Sequence, residues 1–258
     1  MKKDRITTKG WVPDQHGAWV MVTVPLLLGS GLSRPGWLHA LLAVAWFFGY
    51  FAFFAAGWWL RVRGRKRAAY LPAMMAYGSV SALATVAVVC LRPELLVWGA
   101  AFAPLVAVAV WEAYRRRPRS LISGLATVLA SNLMFPVAWQ LGGGDLSGVV
   151  WARTAVLAAY FCGTIFVVKT LIRERRNQSF WKWSYLYHVI ALVGVAVLAA
   201  QHLVHWGAVP VFSLLFLRSV VVPHLSMRRA TPLSPKTVGV LEMVCTLIVS
   251  WITVVGLP

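Results

Sequence analysis

The chain has 258 residues, of which 60% are hydrophobic and 12% charged, and its mean hydropathy is +0.72. That composition excludes an ordinary soluble domain, in which about a quarter of the residues carry charge. The formal net charge of +18 would direct a soluble protein to nucleic acid; here the basic residues fall between apolar runs, where membrane orientation accounts for them, and no nucleic-acid partner is expected.

Taken in chain order, the apolar runs are His16 to Leu32, Trp37 to Leu60, Tyr70 to Leu91, Leu95 to Tyr114 and Leu121 to Leu141. Val149 to Ile172, Trp183 to Leu203, Trp206 to Val222 and Val238 to Leu257 follow. Each has roughly the 17 to 25 residues that a helix needs to cross the hydrocarbon layer. The runs are continuously apolar rather than alternating, so helices are predicted instead of a barrel, because a helix satisfies its own backbone polar groups in lipid. The expected fold is an all-α, polytopic membrane helical bundle of about nine transmembrane helices, with residues 1–258 forming a single integral membrane domain. The longest polar stretches, Arg173 to Trp183 and His224 to Lys236, are loops rather than domains.

Basic residues set the orientation. All but three of the 25 Lys and Arg lie at the amino terminus or on the second, fourth, sixth and eighth connections and their flanks, the exceptions being Arg34, Arg92 and Arg153. Short loops rich in Lys and Arg stay inside, so the amino terminus is expected in the cytoplasm and the carboxyl terminus outside. Most Trp and Tyr residues sit near span ends and read as an interfacial aromatic belt. Cys90, Cys162 and Cys245 have no CxxC spacing and read as small buried hydrophobes. Small residues in most helices pack within one chain or between two, which leaves the oligomeric state open.

Ionisable groups inside lipid are costly and normally face a cavity or a partner. Most of those in or beside the spans belong to the predicted cytoplasmic side. Asp14, Gln15 and His16 open the first helix; Lys169, Arg173, Glu174 and Arg175 close the sixth; His188 lies early in the seventh; Arg218 is in the eighth; Lys236 and Glu242 belong to the ninth. If these helices form one bundle, the groups converge on a cytoplasm-facing cavity with cationic walls, suited to an anion, because Arg presents a planar fork of donors that matches phosphate or carboxylate. In that reading Asp14, Gln15, Lys169, Arg173, Arg175, His188, Arg218 and Lys236 contact the ligand. His16, Glu174 and Glu242 are the acid–base candidates, and no metal is assigned. Set against this, Lys169, Arg173 and Arg175 are plain orientation signals, and Arg218 with Glu242 is an ion pair holding the eighth and ninth helices together.

The stretch Pro13, Asp14, Gln15, His16, Gly17, Ala18, Trp19, Val20, Met21 resembles the start of the YwiC-like family of bacterial integral membrane proteins. The runs from Val168 to Arg175 and from Pro235 to Glu242 resemble that family too. Membership implies a multi-pass protein of the bacterial cytoplasmic (inner) membrane and carries no assigned activity. A weaker, architectural resemblance is to UbiA-type intramembrane prenyltransferases, which have about nine helices and place aspartate-rich motifs on the second and sixth connections. Here the second connection runs Arg61, Val62, Arg63, Gly64, Arg65, Lys66, Arg67 without a carboxylate, and the sixth offers only Glu174. A two-magnesium diphosphate site cannot be assembled from them.

The leading expectation is therefore a membrane protein, enzyme or carrier, that binds an anionic lipid or isoprenoid-type ligand without a cofactor. Two other classes compete with it. One is a b-type haem protein using His188 and His202, fourteen residues apart, with His16 and His39 as partners. The other is a small-molecule transporter in which Pro104, Pro136 and Pro210 interrupt helices and Asn132 is a mid-span polar group. His202, His205 and Asp145 on the outer side are too few for a divalent metal site and read as loop and interface residues.

Overall fold

The computed structural model describes residues 10–13, 16–228 and 233–255, and of His16 and Pro235 the backbone only. Nine α-helices follow one another among the described residues: α1 (His16–Leu32), α2 (Trp37–Arg61), α3 (Leu71–Leu91), α4 (Trp98–Tyr114), α5 (Leu121–Leu141), α6 (Gly148–Ile172), α7 (Gln178–Ala200), α8 (Ala208–Arg228) and α9 (Pro235–Val255). Short 3₁₀ turns, Gly64–Tyr70 and Pro93–Val97, lead into α3 and α4. Eight helices, α2 to α9, are long and apolar enough to cross a membrane. The protein is a multi-pass helical membrane protein.

Local chemistry places the helix ends. Ser120 Oγ accepts a hydrogen bond from Ser123 N (3.0 Å) at the start of α5, and Asn177 Oδ1 accepts one from Phe180 N (3.2 Å) at the start of α7, each satisfying an orphan amide of the first turn. Because Asn177 caps α7, that helix begins five residues before the apolar run that announces it. At its far end it stops at Ala200 and turns through His202, whose φ is +55°. Pro104 and Pro136 lie inside α4 and α5, which run on through them. Pro210 stands in the first turn of α8, where a missing N–H costs nothing. Pro223 is the proline inside α8, and the helix continues past it to Arg228.

Two compact units emerge, Met1–Asp145 and Leu146–Pro258. In the first, α5 is the central helix: 61% of its apolar window is buried, against 11% for the segment containing α3. α5 packs on α1 and α4, and α2 packs on α3. The α1–α5 approach is close enough that a β-carbon on Gly29 would stand 2.3 Å from the Phe135 carbonyl oxygen, so only glycine fits there. Side chains then tie the helices to one another. His39 Nε2 is bonded to the Ala138 carbonyl (3.0 Å), Trp46 Nε1 donates to the Val22 carbonyl (2.9 Å), and Ser81 Oγ donates to the Ala45 carbonyl (2.8 Å). His39, considered above as a haem partner, thus links α2 to α5 through its ring.

The second unit is built on α6, also 61% buried over its apolar window, with α7, α8 and α9 around it. Val167, Leu171 and Val238 form an apolar cluster between α6 and α9. Tyr187 of α7 donates from its hydroxyl to the Ala159 carbonyl of α6 (2.9 Å). The carboxyl end of α6, the amino end of α7, the carboxyl end of α8 and the amino end of α9 come together, and this basic end carries Arg173, Arg175, Arg228 and Lys236.

Candidate functional site

Halfway along the four helices of the second unit, charged groups are buried. Arg218 is the eleventh of 21 residues in α8, His188 the eleventh of 23 in α7 and Tyr160 the thirteenth of 25 in α6. Arg218 Nη1 donates to Glu242 Oε1 of α9 at 2.7 Å, and the two side chains are only 8% and 11% exposed. Thr164 Oγ1 of α6 donates to Glu242 Oε2 (2.8 Å). The Tyr160 hydroxyl lies 2.9 Å from both the Glu242 carbonyl and Thr246 Oγ1, and 3.4 Å from Oε2. Both carboxylate oxygens are therefore engaged, and Glu242 acts as the counter-ion that holds Arg218 inside the bundle. In this low-dielectric setting the pairing is the condition for either charge to be buried at all.

The guanidinium is only partly used. Arg218 Nε and Nη2 are buried and meet no oxygen or nitrogen acceptor among the described residues, while the Cys245 thiol of α9 interacts with the guanidinium. His188 stands on the neighbouring helix, 5% exposed. Its Nδ1 lies 2.7 Å from the Ser184 carbonyl, which can only accept, so Nδ1 carries the proton and Nε2 presents a lone pair. Nε2 also lacks a partner, and a β-carbon on Gly163 of α6 would stand 3.0 Å from it.

Toward the basic end the pattern continues. Arg175 Nη2 donates to the Ser226 carbonyl of α8 (2.5 Å), while Arg175 Nε, Ser226 Oγ, Ser184 Oγ and Tyr185 OH are buried and have no hydrogen-bond partner among the described residues. Glu174 Oε2 accepts from Asn177 Nδ2 (2.9 Å), and the Glu174 carbonyl accepts from Trp181 Nε1 (3.1 Å). Trp181 packs edge-on against His224, with ring centroids 5.2 Å apart. Arg218 and Ser226 are eight residues apart on α8, about 12 Å along the axis. The unsatisfied groups thus form a polar seam carried by α7 and α8, the most extensively packed helix pair of this unit, running from mid-depth to the basic end. Each buried donor or acceptor left unmade costs about 1–3 kcal/mol, so these side chains are the costly polar groups of the unit.

Of the site residues expected from sequence, Arg218, Glu242 and His188 meet at mid-depth, and Glu174 and Arg175 meet α7 and α8 at the basic end. Lys169 is half-buried in the last turn of α6, and Arg173 and Lys236 are exposed. Asp14 and Gln15 lie outside the described residues, as does the side chain of His16. Sequence reading picked out Ser184 and Tyr185 beside His188 at the start of the seventh helix, and missed Tyr160, Thr164, Ser226 and Thr246. Spacing was the signal: Tyr160 with Thr164 and Glu242 with Thr246 are each one helical turn apart.

Comparison with known proteins gives this architecture a family. The family model described as YwiC-like protein matches residues 12–139. The chain is also 32% identical to the uncharacterized protein YwiC of Bacillus subtilis over 237 residues, 92% of this chain and 93% of that one. The chain belongs to the YwiC-like family. A second relative, an uncharacterized protein of Haemophilus influenzae, is 24% identical over 236 residues, 91% of this chain and 93% of its own. The family model ends within α5, whereas the two relatives also cover the four-helix unit that holds the seam. No solved structure matches.

Proposed function

We propose that this YwiC-like protein lies in the bacterial cytoplasmic membrane with its amino terminus inside, and binds the anionic head of a lipid or isoprenoid-type amphiphile on the polar seam of the four-helix unit. The observation that carries the reading is the pair of orphaned donors on Arg218, a buried arginine whose charge is already balanced by Glu242. Nε and Nη2 lie on one edge of a planar fork and suit the two oxygens of a phosphate or carboxylate. His188 Nε2, Ser184 and Tyr185 supply further polar groups on α7, and Arg175 with Ser226 marks the entrance at the basic end. The positive-inside bias supports placing that entrance in the cytoplasm. UbiA-like chemistry rests only on helix number and charge layout; an acid–base step at the seam would fall to Glu174, because Glu242 is committed to Arg218.

The decisive substitution is Arg218→Lys, which preserves the charge facing Glu242 and removes the second edge of the fork. Farnesyl phosphate titrated into the purified protein should bind at least tenfold more tightly than farnesol to the wild type, and Arg218→Lys should abolish that preference while leaving the fold intact. A hydrogen bond to a charged group is worth about 1.5–3 kcal/mol, so at least a tenfold loss is expected. Equal binding of the two probes, or an undiminished preference in Arg218→Lys, overturns the reading. A second reading, a carrier, is favoured by the place of Arg218 at the middle of α8, since transporters hold their substrates part-way along their helices; in that case farnesyl phosphate or a small anion would also be taken up into proteoliposomes.

A further inference from the structure

The five-helix unit holds a chamber of about 430 Å³ among α1, α2, α3, α4 and α5, within the ~300–1,000 Å³ range of small-molecule sites. Its walls are mainly apolar and aromatic, with Tyr50, Thr85 and Ser131 among the polar exceptions, and the polar groups of Trp46, Ser81, Thr127 and Trp98 are already spent. Trp46 bonds the Val22 carbonyl, Ser81 the Ala45 carbonyl, Thr127 the Ser123 carbonyl and Trp98 the Gln140 side chain. A polar occupant would find little to bond, and water would gain nothing by entering such a space. A hydrocarbon is what the walls accept.

The chamber has a mouth. α3 and α4 are joined at one end by the 3₁₀ turn Pro93–Val97 but do not pack along their lengths. Thr85 of α3, Leu96 of the turn and Val106 of α4 line the chamber and are exposed at the same time. The opening is therefore lateral, on helices that cross a bilayer, and the nearest source of hydrocarbon is a lipid tail.

The charge at one end selects the head that goes with that tail. Beyond the chamber, Arg61 lies over Trp58 (4.2 Å), Arg67 over Trp59 (3.8 Å) and Arg115 over Trp111 (5.7 Å). These arginines gather positive charge at one end of the helices, the sign that attracts a phosphate, with Arg61 Nε held by the Gly57 carbonyl (2.6 Å). Arg61 is eight residues past Phe53 at the chamber wall and Arg115 six past Ala109, about 12 and 9 Å of helix, a distance that the glycerol and first carbons of a phospholipid span. We propose that the five-helix unit seats one acyl chain of an anionic bilayer phospholipid, which enters between α3 and α4 with its phosphate toward these arginines. The seam of α7 and α8 plays no part in this site.

Native mass spectrometry of the full-length protein, exchanged into detergent containing equimolar dioleoyl and dihexanoyl phosphatidylglycerol, tests it. The wild type should retain one dioleoyl lipid and none of the short-chain lipid, although their heads are identical. Ala109→Phe combined with Ala130→Leu fills the chamber from α4 and α5 and should reduce retention at least tenfold, whereas Val108→Phe with Leu129→Phe, one residue along on exposed faces, should leave it unchanged. In an Arg218→Lys background, where the seam no longer holds an anionic head, filling the chamber should give the same tenfold loss, so that failure here and failure of the anion site are told apart. Equal retention of both lipids by the wild type overturns the proposal even if the filled variant does not fold. Equal loss in the filled and control variants, or an isoprenoid rather than an acyl lipid in the chamber, overturns it as well.

Discussion

Removing one member of the Arg218–Glu242 pair should harm the protein far more than removing both. At about 4 Å between charge centres and an effective dielectric of ~20, the pair is worth ~4 kcal/mol, and breaking a buried pair typically costs about 3–5 kcal/mol because the surviving charge is left unbalanced. The geometry places this pair in that class: the contact is 2.7 Å, both side chains are about nine-tenths buried, and Glu242 is further fixed by Thr164. Arg218→Met leaves a carboxylate among α6, α8 and α9 with only hydroxyl donors; Glu242→Leu leaves a guanidinium with no counter-ion. With about 2–4 °C of melting temperature per kcal/mol in a chain of this size, each single variant should melt roughly 6–20 °C below the wild type. The double variant Arg218→Met/Glu242→Leu should recover most of that loss, since a pair replaced by apolar groups is often neutral. Tryptophan-fluorescence melting in one detergent provides the assay. Single variants that melt within about 2 °C of the wild type, or a double variant lower than either single, would refute the claim that the two charges sustain each other.

Other expectations follow from single contacts. Gly29→Ala drives a β-carbon into the Phe135 carbonyl at 2.3 Å while Gly31→Ala meets nothing within 4 Å, so the first should fail to accumulate in the membrane and the second should express and melt like the wild type. Gly163→Ala places its methyl 3.0 Å from His188 Nε2; farnesyl phosphate affinity should fall several-fold with a melting loss of only a few degrees, and unchanged affinity would remove His188 from the site. For orientation, Asp145→Cys on the α5–α6 loop should react with an impermeant maleimide in intact spheroplasts, and Asn177→Cys on the α6–α7 loop only after lysis. The reverse pattern would invert the topology.

The architecture was largely legible because lipid imposes length: each apolar run became one helix, and α1, α3 and α5 differ from expectation by a residue at most. Discrepancies collect at the polar ends. Hydropathy marks the hydrocarbon layer, but helices continue into the headgroup region until a cap stops them, so α7 reaches back to Gln178 and α8 forward to Arg228. That shift moves His188 from the rim of the apolar run to the middle of the helix. Arg218 and Glu242 stood out in the sequence because a charge inside a span needs a reason. Ser226 did not, because hydroxyls are commonplace in membrane helices and only its missing partner distinguishes it. The chamber leaves no trace in sequence at all; it is a space between apolar residues whose types would equally well have packed shut.

A high-resolution density map of the purified protein, inspected around Arg218, examines the central proposition most closely. Non-protein density within hydrogen-bond distance of both Nε and Nη2, extending along α7 and α8 toward Arg175, is the predicted result. A guanidinium whose second edge is capped by the protein's own carbonyls, with hydrocarbon packed against it, would contradict the existence of a binding site there.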